Sequence, residues 1–197
     1  MVKNVIVVAL VLGLASIASA GFLATDGSAI PGFHGTQPFA SGTMSADVDY
    51  AVYAPGSFPG DMFTPDPSGG AEYVYAYRVY PTGTKPITFL TVGLATGSGA
   101  HNATSLSLYA GAGGIPATAW SIQSSSAAAA FLAPELEDPF FSQVMIFTSP
   151  LPPTFDTASV GNGGKSDQKI LTTPLVPEPA SLAFIILGLG ALIRRSR

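Results

Sequence analysis

His34 and His101 are the only histidines in the 197 residues, and cysteine is absent. Disulfides, thiolate metal sites and a cysteine nucleophile are therefore excluded. A serine triad or a zinc site would need one of the two imidazoles beside a hydroxyl or further ligands. Both lie in Gly-rich segments that read as exposed turns. Ser98, in Thr96-Gly97-Ser98-Gly99, lacks the first glycine of a nucleophile elbow, and no helical pattern follows it. Gly111-Ala112-Gly113-Gly114 runs into Ile115-Pro116 and so supplies no helix N-terminus for a phosphate. These motifs read as turns, and the chain is expected not to be an enzyme.

The carboxylates pose a better question. Glu135, Glu137 and Asp138 share one turn, and Asp47 and Asp49 share a strand face. Hard cations favour such oxygen clusters, so the first set is a candidate Ca²⁺ site. Paired carboxylates flanking a cleft could also hydrolyse a glycoside. Neither set has motif spacing, and the plain alternative is a solvated acidic loop. Tyr73, Tyr75 and Tyr77 recur at period 2. Exposed, they would form a stacking platform for sugar rings. Buried, they are one side of a strand in the core, which is the commoner outcome. Thr82, Thr84, Thr88 and Thr91 do not form the regular array that ice binding would require.

The elements that must position these residues are short. Residues 47–53 alternate as a half-buried strand, and 71–80 carry the clearest period-2 pattern of the chain. Turn residues Pro81 to Thr84 and a further run at 87–94 predict a hairpin with 71–80. Further strand patterns fall near 105–110, 118–123, 141–149 and 157–160, while 127–132 fits helix or strand. The chain holds 22 glycines and 17 prolines, well above the usual ~12% share. We therefore expect an all-β fold, a single β-sandwich of jelly-roll or immunoglobulin-like kind over residues 47–160. Residues 21–46 read as a loosely ordered lead-in with room for one early strand. The polar stretch 161–175 reads as a linker.

Between residues 21 and 176, eleven acidic side chains face four basic ones, a net charge of −7. Such a surface repels nucleic acid, which is not expected as a partner. The two ends are apolar. Lys3, the uncharged run 5–17 and the Ala18-Ser19-Ala20 site read as a signal peptide over residues 1–20, cut by signal peptidase after Ala20. Its 13-residue run spans ~20 Å as a helix, short of a ~30 Å hydrocarbon core. At the other end Pro177, Glu178 and Pro179 form an extended elbow through which no helix can run. An apolar stretch of 14 residues, 180–193, follows, and then Arg194, Arg195 and Arg197. As a helix that stretch reaches ~21 Å, and the arginines would sit at cytoplasmic headgroups as a membrane stop.

Pro-Glu-Pro, a short apolar helix and a terminal arginine cluster, behind a signal peptide, closely resemble the PEP-CTERM protein-sorting signal. The same C-terminal domain is also catalogued as the ice-binding protein C-terminal domain. The resemblance covers residues 176–197. It implies an exported bacterial protein that is the substrate of an exosortase, a membrane transpeptidase acting near Pro177, Glu178 and Pro179. It further implies transient residence in the inner membrane, then delivery to the cell surface or extracellular polysaccharide matrix. An uncleaved membrane anchor is the alternative. The ectodomain is expected to be structural or adhesive, with a carbohydrate-binding module and a matrix glycan hydrolase as alternatives. No cofactor is expected beyond the calcium candidate.

Overall fold

Among the described residues ten strands, built from the β-branched and aromatic runs and punctuated by Gly and Pro turns, make two five-stranded antiparallel sheets. The structure, a computed structural model, describes residues 22–59, 65–95, 97–106, 114–123 and 125–175. The signal-peptide residues Ala18 and Ala20, the elbow Pro177, Glu178 and Pro179, and the stop Arg194, Arg195 and Arg197 lie outside them. After a 3₁₀ turn at Phe22–Thr25 come β1 (His34–Ser41), β2 (Met44–Tyr53), β3 (Tyr73–Pro81), β4 (Phe89–Gly93) and β5 (His101–Leu106). Then follow β6 (Ala119–Gln123), β7 (Ser126–Ala130), β8 (Val144–Ser149), β9 (Pro153–Gly161) and β10 (Ser166–Pro174). The first sheet has the order β1-β2-β3-β8-β5, the second β10-β9-β4-β7-β6. No helix among the described residues is long and apolar enough to cross a membrane.

The main core lies between the sheets. Tyr75, Tyr77 and Val79 of β3 and Met145 and Phe147 of β8 meet Leu90, Val92, Ala127, Ala129, Ala158, Val160 and Leu171 of the second sheet. A second apolar cluster covers the other face of the first sheet. There Leu23, Ala29 and Phe58 pack on Ala51, Tyr53, Val74, Ala76, Val144 and Ile146. Both faces of β3 and β8 are therefore buried. The Tyr53 hydroxyl donates to Asp26 Oδ2 at 2.7 Å, which ties the N-terminal segment down over that outer face.

Three readings from sequence are corrected. The runs at 71–80 and 87–94 do not form a hairpin: β3 is flanked by β2 and β8, and β4 by β7 and β9 in the opposite sheet. Residues 82–88 are a crossover between layers. The lead-in, read as loosely ordered with room for one early strand, is structured from residue 22: it holds that strand, β1, paired along all eight residues with β2, and also the start of β2 itself. The linker 161–175 contains β10, which pairs over nine residues with β9 and sends Leu171 into the core. Backbone ladders need no particular side chain, so a polar edge strand hides well in sequence. The domain thus runs from residue 22 to residue 175, not from 47 to 160. Residues 127–132, open between helix and strand, hold β7.

Strand directions give the sandwich two unlike ends. The chain enters beside the end of β2, and the last described residue, Leu175, leaves beside the start of β9, donating its N–H to Pro152 O at 2.7 Å. The two ends of the described segment therefore lie at one end, with the end of β2 and the starts of β3, β5 and β9. The opposite tip carries the turns 42–43, 82–88, 131–143 and 162–165. Beside the tip β1 and β10 are joined, since Ala40 N–H donates to Asp167 Oδ2 at 2.9 Å. That backbone bond, helped by a second from Gln168 and by Lys169, holds the Asp167 carboxyl below its ordinary range.

Candidate binding site

The tyrosine row is divided by the fold. Tyr75 and Tyr77 are fully buried between the sheets, while Tyr73 is half-buried at the strand's start. Tyr75 donates its hydroxyl to Leu151 O at 2.8 Å, and Tyr77 to Thr172 O at 2.6 Å. Burial pushes both phenols well above their ordinary range. Neither ring faces solvent, so Tyr73, Tyr75 and Tyr77 do not make a platform for sugars. Phe147 stacks on Tyr75 at 5.0 Å and Tyr77 at 5.9 Å, and this stack is the centre of the core.

The acidic turn is where the sequence puts it, at the tip away from the chain ends. Glu135, Glu137 and Asp138 are all exposed, with Leu136 buried between them and bridged to Ile87. Among the described residues no group of three or more His, Asp or Glu side chains is placed to hold a metal ion. His34 Nδ1 lies 2.8 Å from Ala24 O. His101 Nδ1 lies 2.7 Å from Gly99 O, and its Nε2 lies 3.0 Å from Glu72 Oε2. Both rings thus help fasten turns at the chain-end side. Ser98 is buried, and its carbonyl accepts from the Ser149 hydroxyl.

Asp47 and Asp49 have different fates. Asp49 is buried and sits opposite Arg78 in the β2–β3 register. Thr36 donates its hydroxyl to Asp49 Oδ1 at 2.6 Å. Arg78, itself buried, donates from Nε to Ser142 O at 3.1 Å. Its guanidinium lies 4.1 Å from the centroid of the Phe141 ring and 5.4 Å from that of Tyr80. Burial pulls the Arg78 pKa down, while Tyr80 and Asp49 pull it back up. Burial likewise raises the Tyr80 phenol, against the lowering pull of Arg78.

This cluster fixes one wall of a pocket. Phe141 packs against both the Arg78 guanidinium and the Tyr80 ring, whose centroid is 5.7 Å away. Ile115 donates to Phe141 O at 2.8 Å and accepts from Gln143 N–H at 2.9 Å. Gly114 permits that approach, because a Cβ there would lie 2.6 Å from Ser142 O. The result is an open cavity of about 310 Å³ lined by Gly114, Ile115, Phe140 and Phe141, with Phe140 57% exposed. None of these four lining side chains ionises, so they can hold an apolar or CH-rich face but cannot move a proton.

The signal for this site was present but dispersed. Arg78 is the only arginine among the described residues, set in an aromatic strand, and Phe140-Phe141 follow the acidic turn directly. What brings them together is the β3 register and the Ile115 bridge, neither of which has a local pattern. The class that emerges is an antiparallel two-sheet β-sandwich with an apolar pocket at its tip. Compared with family models, curated proteins and solved structures, the chain finds no match.

Proposed function

We propose that the chain is an exported, non-enzymatic β-sandwich, sorted through its C-terminal tail to the cell surface or the extracellular polysaccharide matrix. The order of β3 to β8, with β8 between β3 and β5 and β7 between β4 and β6, supports a jelly-roll-like reading of the sandwich. The observation that supports the reading is that the described segment begins and ends, at residues 22 and 175, on the same end of the sandwich. A signal peptide before residue 22 and a sorting tail after residue 175 would meet the membrane from the same side. The pocketed tip would then face outward. Replacing Pro177, Glu178 and Pro179 together by alanine is expected to leave export intact and retain the protein in the inner membrane. Unchanged fractionation of that variant between membrane and surface would rule the reading out.

A second reading, a carbohydrate-binding module, is favoured by the pocket alone. A ring with one CH-rich face suits the paired Phe140 and Phe141, and the neighbouring Glu135, Glu137 and Asp138 disfavour an acidic glycan. Phe140→Ala should weaken binding of a neutral polysaccharide at least tenfold (~1.4 kcal/mol) in affinity electrophoresis, with an unaltered urea midpoint. Equal affinity of variant and parent counts against a sugar site here.

A further inference from the structure

Among the described residues four strands have a hydrogen-bonded neighbour on one side only: β1, β5, β6 and β10. Such an edge offers unpaired N–H and C=O groups to any further strand, and β-proteins usually blunt it. Three of the four are blunted here. β1 carries Pro38 in its middle, which removes a donor from the ladder. β5 breaks register between His101 and Thr104, and Asn102 there has a φ of 54°. β10 carries Asp167 and Lys169. β6 has none of these devices. Its five residues, Ala119-Trp120-Ser121-Ile122-Gln123, include no proline and no charge, and they pair with β7 in unbroken register.

The flank around β6 is uncharged as well. Residues 86–134 contain no Asp, Glu, Lys or Arg, and they supply β4, β5, β6 and β7. In the second sheet the first strand with a charge, β9, lies three strands from β6. That is ~14 Å at the usual strand spacing, beyond the ~8 Å Debye length of physiological salt. Two copies can therefore meet at this flank without bringing strand-borne charges together. We infer that β6 pairs edge to edge with β6 of a second copy. The strand complements itself. Reversed about Ser121, it sets Trp120 opposite Ile122 of the second copy and Ala119 opposite Gln123. An aromatic ring against a β-branched side chain is a favourable cross-strand pair. Trp120 and Ile122 pack toward the core yet stay half-buried where the sheet ends, and the second copy covers them. A foreign extended peptide has no need of this symmetry and is the poorer occupant. The contact is isologous and closed, with one continuous sheet through both copies. Antiparallel pairing turns the second copy end for end, so the two Leu175 ends point in opposite directions. On the surface location proposed above, and only this consequence rests on it, such pairs join two facing surfaces.

Ser121 would lie on the two-fold axis and is exposed, and the chain has no cysteine, which makes the test direct. The full chain carrying Ser121→Cys, in detergent micelles and oxidised mildly, should run mostly as a disulfide-linked dimer on non-reducing gels. Gln168→Cys, an exposed site on β10 at the other edge of the same sheet, should link under a tenth as many chains. Ser121→Lys sets two ammonium groups against each other across the axis, and like charges directly opposite weaken a strand pair. In density-matched detergent, sedimentation equilibrium should give two copies for the parent and one for Ser121→Lys, with unchanged circular dichroism. Equal linkage at the two cysteines overturns the proposal. So does a parent that sediments as a single copy, which would leave the edge to a foreign strand, and so does a Ser121→Lys chain that stays paired. Assemblies larger than two copies overturn it as well, because β6 would then meet a different edge. None of these readouts involves Pro177, Glu178 or Pro179, so failure here is separable from failure of the sorting assay.

Discussion

Phe147→Ala is expected to lower the unfolding free energy by about 3–5 kcal/mol, the range for losing a buried aromatic ring. Phe147 is fully buried on a central strand. It stacks on Tyr75 with ring planes 10° apart and touches Tyr77 and Trp120, whose centroids lie 5.9 and 6.3 Å away. Trp120 comes from the opposite sheet and donates its indole N–H to Ile146 O at 2.7 Å. Removing the ring therefore empties the space between the layers, where β-sheets cannot collapse without breaking their ladders. Urea unfolding followed by the fluorescence of Trp120, the single tryptophan, measures the loss. Tyr77→Phe keeps the ring and removes only the bond to Thr172 O, so it should cost about 1–3 kcal/mol. A Phe147→Ala loss below about 1 kcal/mol would mean that the stack is not the core of the sandwich.

Arg78→Ala carries the second large effect, also about 3–5 kcal/mol, because it strips the buried Asp49 carboxylate of the positive charge facing it across the β2–β3 ladder. The Asp49 carboxylate would stay buried opposite the lost guanidinium. Phe141 would lose the cation 4.1 Å from its centroid, and Ser142 O would lose its donor. Arg78→Met, which keeps the apolar stem, together with Asp49→Asn should cost less than the two single changes added. The expected coupling is about 1–3 kcal/mol in the double-mutant cycle. Additivity within ~0.5 kcal/mol would show that the two residues do not act on each other. The pocket gives an independent readout: with Phe141 unpinned, any ligand of the tip should bind Arg78→Met less tightly than the parent.

How much of this was legible in the sequence follows from where the information sits. Tyr73 to Tyr80 announced a strand because period 2 is local, and the turn-rich composition announced an all-β fold. The same period is silent on one point. It does not tell how many faces of β3 are covered, and Val74 and Ala76 lie under Leu23, Ala29 and Phe58, which arrive from distant segments. The hairpin between 71–80 and 87–94 failed for a related reason: a turn-forming sequence fixes a change of direction, not the sheet into which the chain returns. The polar strand β10 was missed because Ser166 to Lys169 lack alternation and only Ile170 to Thr173 hint at a strand. The acidic turn was located correctly. Its neighbours Phe140 and Phe141 acquired meaning only once Arg78 and Ile115 were seen against them.

The nine-residue ladder between β9 and β10 has a mechanical consequence. A domain tethered through Leu175 and loaded at the opposite tip is pulled along the length of β10. The force then shears the ladder, so its hydrogen bonds share the load and must fail together rather than peel one at a time. The Ala40–Asp167 bond lies at the far end of that strand and would resist its sliding. The plain, polar strand that reads as a spacer is thus the part of the molecule that would set its tensile strength.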